Sequence, residues 1–236
     1  PEEPIPMKRR LAGLLAVSAL AIAAVPATAS ADTPNSLFAT AAASLGDNGG
    51  KATDRNWYDF DLLANAVVAL DLGPALQDNG NGLTGLGVKA TVFAPNDRAF
   101  QLLVGDITGR PWWTLSEKET LDALLAVAGT PDLNGTGISG ADALKQTVLY
   151  HVSPENIPNL RARASGANIP TANSVGRTDI NPSRVPFLGW VSLADGDPSD
   201  FNPLWYGRTI GASNGTIHVI ASVLRPLDLK ALFPKD

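Results

Sequence analysis

The sequence predicts an α+β domain, and three observations predict it. Apolar residues recur at helical spacing through the first part of the chain after Asp59, β-branched and aromatic runs come late, and no internal repeat or second-domain linker interrupts residues 59–236. Of 236 residues, 44% are hydrophobic and 17% charged, an ordinary globular balance that supports a core built on packing alone. With 18 Lys+Arg against 23 Asp+Glu the net charge is −5, which argues against a phosphate-backbone binder. The lack of Cys excludes disulfides, thiolate metal sites and a Cys nucleophile, and two His make a multi-histidine metal site a poor reading.

The N-terminal segment reads as an export signal. Met7 precedes Lys8, Arg9 and Arg10, then 15 apolar or small residues at 11–25, then Ala27-Thr28-Ala29-Ser30-Ala31. A basic start, a short apolar stretch and an A-x-A site make a secretory signal peptide, and the stretch is short of the about 20 residues of a membrane span. Residues 1–31 are therefore expected outside the fold, with residues 1–6 upstream of the initiator and cleavage after Ala29 or Ala31. The leader has a bacterial character, and the expected product is secreted, with no membrane span after signal removal. Residues 32–57 form a lead, Ala-rich and helix-compatible at 35–45, rich in Gly, Asn and Asp at 46–53.

From Asp59, helical spacing joins Phe60, Leu63, Val67 and Leu70, with Asp59 or Asp61 as cap and Gly73 as end. Residues 78–87 read as a Gly-rich loop. Residues 91–94 read as a strand stopped by Pro95, after which Asn96 caps a helix carrying Phe100 and Leu103. Ser116 and Glu119 form a capping box for a helix through Leu121, Leu124 and Leu125 that ends at Gly129. Ser139 and Asp142 open another, with Ala141, Leu144, Val148 and His151 on one face and Pro154 ending it. Short β-like runs follow at 187–193 and 216–224, with Asn214-Gly215 as a hairpin signal between them. In the second run, alternation puts Ile217, Val219, Ala221 and Val223 on one face. Thr216, His218, Ile220, Ser222 and Leu224 fall on the other.

Three motifs in order resemble the fasciclin domain family. Residues 91–100, TVFAPNDRAF, resemble its first signature; Tyr150-His151 resembles its Tyr-His motif; residues 215–220, GTIHVI, followed by Val223, Leu224 and Pro226, resemble its second signature. The resemblance covers residues 58–227, leaving 228–236 as a C-terminal tail. Two positions depart from the pattern: Asn96 stands where Thr is usual, and Ala221 where Asp is usual. The resemblance implies a single domain of helices packed on a small β-sheet or wedge. It implies structural roles for Thr91, Phe93, Pro95, Asn96, Phe100, Gly215, His218 and Val219. It also implies that Tyr150 and His151 contribute to a partner-binding surface or support its shape.

The functional expectation is a secreted, non-enzymatic protein for adhesion or for association with a cell surface or extracellular matrix. The alternative is an extracellular carrier of a small apolar ligand such as a pigment. No cofactor and no nucleic-acid partner is expected. No G-x-S-x-G elbow surrounds any Ser, and the Gly-rich residues 49–53 fail as a P-loop at Ala52. Asp195, Asp197 and Asp200 place carboxylates at close spacing but lack the Gly and terminal Glu of an EF-hand, so they read as a solvated acidic loop rather than a cation site. Trp112 and Trp113 are adjacent, so one is expected in the core and one outside.

Overall fold

The computed structural model describes residues 53–70, 72 and 89–233. The expected export signal at residues 1–31, the Ala-rich stretch at 35–45, Gly73 and the expected Gly-rich loop at 78–87 lie outside the described residues.

In chain order the elements are α1 (Asp61–Ala69), β1 (Ala90–Pro95), α2 (Asp97–Thr108), α3 (Glu117–Ala128), α4 (Gly140–Tyr150), β2 (Val152–Ser153), α5 (Leu160–Arg163), β3 (Ile169–Pro170), β4 (Asp179–Arg184), β5 (Val191–Ala194), β6 (Leu204–Ala212), β7 (Gly215–Ile220) and α6 (Leu229–Leu232). The strands form one sheet in the order β2-β1-β7-β6-β5-β4-β3. Only β1 and β7 run parallel, pairing Ala90 with Gly215 through to Pro95 with Ile220. This is an α+β fold, with helices early and strands late.

The two signature strands divide the interior. Ala90 and Ala94 of β1, with Ile217 and Val219 of β7, face the helical core of Leu62, Val67, Phe100, Leu103, Leu124 and Val148. Phe93 and Ile220 face a second core of Tyr150, Leu160, Ile169, Ile180, Val191, Leu193 and Trp205. Both strands are thus buried on two faces, as central strands between apolar layers must be. The expected alternation sorts the residues correctly, and it continues past the strand: Val223 joins the first core and Leu224 the second. The strand itself ends at Ile220. Gly215 is fixed by close approach, since a Cβ there would run into the Ala90 carbonyl.

The caps largely follow the sequence. Asn96 Oδ1 accepts the Ala99 N–H at 3.1 Å, Ser116 and Glu119 complete the capping box, and Ser139 accepts from Asp142 N–H. At α1 the expected cap is wrong. Phe60 is the N-cap and offers no side-chain bond; Asp97, the first residue of α2, accepts the Leu62 N–H at 3.0 Å instead. A cap donated from another helix has no local sequence signal.

The β-like runs need more correction. Residues 186–188 form a turn rather than a strand, with Phe187 in the left-handed region at φ 62°. The partner of β7 across the Asn214 hairpin is β6, which local sequence hides: Gly207 and Arg208 interrupt it, and a register shift between Trp205 and Thr209 breaks its alternation. β2, β3 and β4 have no counterpart among the expected strands, and β4 carries Pro182.

Candidate functional site

The Tyr-His motif closes α4, and both side chains point inward. Tyr150 is fully buried, and its hydroxyl donates to the Asp179 carbonyl at 2.5 Å. Burial holds the phenol above its usual pKa. His151 is the C-cap of α4 and is buried there, and α4 ends four residues before Pro154. Its ring lies within 2.7 Å of the Thr147 carbonyl through Nδ1, and its Nε2 accepts the Leu224 N–H at 2.9 Å. A carbonyl can only accept and an N–H can only donate, so the ring is the neutral Nδ1–H tautomer. Burial lowers its pKa to about 4, against the opposing pull of the Thr147 carbonyl.

His218 is locked in the opposite tautomer. Its Nε2 donates to the Ile157 carbonyl at 2.7 Å, leaving Nδ1 to accept from the Thr209 hydroxyl at 2.9 Å. The ring lies between Phe93, with centroids 5.9 Å apart, and the edge of Trp205 at 5.6 Å. Burial lowers its pKa as well. Thr91 supports the same segment, donating to Glu155 O and accepting from Ile157 N–H, each at 2.8 Å. Both imidazoles are therefore consumed as struts joining the signature strands to the 151–157 segment.

The acidic loop is not solvated. Asp195 and Asp197 are buried, and the loop folds around Arg225, itself buried just after the second signature. The Arg225 guanidinium reaches Asp106 at 2.5 Å and Asp197 at 3.4 Å, and its Nε lies 3.1 Å from Asp200 without hydrogen-bond alignment. The Arg225 N–H donates to Asp195 Oδ2 at 2.8 Å. Burial pushes Asp195 to about 6 and Asp200 to about 7. Asp197 stays below the usual carboxylate range, because hydrogen bonds from Ser199 and Leu229 outweigh its burial. The cation these carboxylates hold is an arginine, and the only sequence signal for it is one Arg beside a motif.

At the surface, the tryptophan pair sits on a 3-10 turn, Trp112–Thr114, with rings edge-on at 5.4 Å. Neither belongs to the core: Trp113 is exposed, and Trp112 is half-buried beneath the Arg98 guanidinium, 3.8 Å from its ring centre. Between α1, α2, α3 and α4 runs a shallow apolar groove lined by Ala69, Leu70, Phe100, Leu121, Leu125 and Val148 among others. Among the described residues no helix is long and apolar enough to cross a membrane.

Two parallel signature strands, a buried Tyr-His pair and a second-signature histidine tied to the 151–157 segment define a fasciclin-type domain. A family model for the fasciclin domain matches residues 58–226, and the chain belongs to that family. No curated protein sequence matches the chain. Among solved structures, a FAS1 domain pair from the insect cell adhesion molecule Fasciclin I is similar at 13% identity, with a TM-score of 0.36, over 78% of this chain and 43% of that one. The chain thus spans less than half the length of that pair.

Proposed function

We propose that the chain is an exported, non-enzymatic interaction module of the fasciclin type, acting in adhesion or in association with a cell surface or extracellular matrix. Membership of a family known in cell-adhesion proteins carries the reading. The buried geometry supports it from another side. Neither imidazole is presented to solvent as a base, and each ring nitrogen already has a partner. Tyr150 and His151 then act by shaping the partner-binding surface, since neither side chain reaches it. Export through the leader at residues 1–31 belongs to the same reading. Saturable binding of the purified chain to matrix or cell-envelope material is the test; absence of saturable binding to any of these would sink it.

The apolar groove favours a second reading, a carrier of a small apolar ligand. The lining is predominantly aliphatic and aromatic, the chemistry that apolar ligand sites use. Organic-solvent extraction of the native protein separates the two: a recovered ligand supports the carrier, and an empty extract leaves the bare module.

A further inference from the structure

The turn between β4 and β5 displays a feature that neither reading uses. At its tip Phe187 is fully exposed and Leu188 is 53% exposed. Phe187 also adopts φ 62°, a left-handed conformation that disfavours a bulky residue. Two costs thus meet at one residue: an aromatic ring in water and a disfavoured backbone. Just behind the tip, Trp190 meets Tyr206 edge-on at 4.8 Å, and Tyr206 is 49% exposed. These are amphipathic rings, of the kind that settle at a membrane–water boundary.

The tip is held rather than loose. Arg161 Nε donates to the Gly189 carbonyl at 2.5 Å, and its guanidinium packs so closely that a Cβ on Gly189 would come within 2.7 Å of it. Arg184 Nε donates to the Arg161 carbonyl at 3.2 Å, and Val185 N–H donates to the Trp190 carbonyl at 3.0 Å. Both arginines are exposed, and neither is in an ion pair among the described residues, in contrast to neighbouring Arg163, which Glu155 neutralises at 3.0 Å. In a chain of net charge −5, this puts two uncompensated cations directly behind an apolar tip.

We propose that this turn is a membrane-docking tip: Phe187 and Leu188 enter the interfacial layer of a lipid bilayer, and Arg161 and Arg184 pair with anionic headgroups. The arrangement matches the two layers of such a surface, apolar groups outermost to reach the acyl boundary and cations one step behind at headgroup depth. An uncharged apolar partner would leave the arginines unused; a soluble polyanion would leave Phe187 and Leu188 in water. The proposal adds a lipid surface to the partners considered above and does not depend on them.

Cosedimentation of the exported form of the chain, without the leader at residues 1–31, with vesicles tests it. The chain is expected to partition onto phosphatidylcholine vesicles containing one-third phosphatidylglycerol, and much less onto pure phosphatidylcholine. The double variant Phe187→Ser/Leu188→Ser should lose about tenfold or more of that partitioning. Each charge removed in Arg161→Gln/Arg184→Gln should cost about fivefold on anionic vesicles and little on neutral ones. Arg161 and Arg184 also hold the turn, so Arg161→Lys/Arg184→Lys separates charge from support and should restore partitioning. Three results would overturn the proposal: no partitioning of the wild-type chain, equal partitioning on neutral and anionic vesicles, or unchanged partitioning of the folded Phe187→Ser/Leu188→Ser variant.

Discussion

The Leu224 N–H donates to Nε2 of His151 at 2.9 Å, joining the end of the Tyr-His motif to the end of the second signature across 73 residues. Two of the family's three motifs therefore meet through one neutral imidazole. The third, β1, lies alongside, with the Phe93 N–H donating to the His151 carbonyl at 2.8 Å. Residues of the three motifs are thus parts of one joint.

His151 should remain neutral down to about pH 4. Its folded pKa lies below the unfolded value of 6.5, so the unfolded chain binds more protons between the two. The stability it contributes is full above pH 6.5 and is lost as pH falls through 4, by about 3 kcal/mol in all. Asp97, Asp195 and Asp200 act with the opposite sign, since their raised pKa values of about 8, 6 and 7 make folding more favourable as they protonate. The His151 share is isolated by comparison with His151→Gln: the stability gap between the two proteins should narrow between pH 6.5 and 4. A gap independent of pH would show that His151 does not titrate as its burial requires.

The two histidines should show opposite tautomers in nitrogen-15 NMR, Nδ1–H for His151 and Nε2–H for His218. His218→Phe keeps the ring contacts with Phe93 and Trp205 but leaves the Ile157 carbonyl and Thr209 hydroxyl unpaired. It should cost about 2–3 kcal/mol in denaturant unfolding. A neutral effect would mean that the ring serves only as apolar filling.

Arg225→Met should be strongly destabilising at pH 8, by about 3–5 kcal/mol, because buried carboxylates lose their cation. The loss should shrink on going to pH 5, as Asp200 and Asp195 protonate in the folded state. Urea midpoints at the two pH values check this; a larger loss at pH 5 would contradict it.

At the first signature, Asn96→Ala should cost about 1 kcal/mol through the lost cap on α2, and Asn96→Thr should be close to neutral. Gly215→Ala should be far worse than either, because the added Cβ meets the Ala90 carbonyl of the adjoining parallel strand. Thermal unfolding of the three variants ranks them directly.

Much of this architecture is legible in the sequence, and what is missed has a physical reason. Asn96, Ser116 and Ser139 are read correctly because an N-cap is a local bond between residues three apart. The cap of α1 is misread because its acceptor, Asp97, lies 35 residues away. β6 is invisible because a register shift and Gly207 erase the two-residue period. The acidic loop at Asp195, Asp197 and Asp200 is misread as solvated because its partner, Arg225, comes from another part of the chain. Local rules recover caps and central strands; contacts distant in sequence carry the joint and the buried ion network.

The central claim, that the chain is exported and works as a bare interaction module, is tested most directly by a native mass spectrum of the protein recovered from the medium of an exporting host. The expected result is a chain beginning at Ser30 or Asp32 with no added mass. A chain that keeps residues 8–29 would contradict export through that leader, and extra mass that disappears on denaturation would replace the bare module with a ligand carrier.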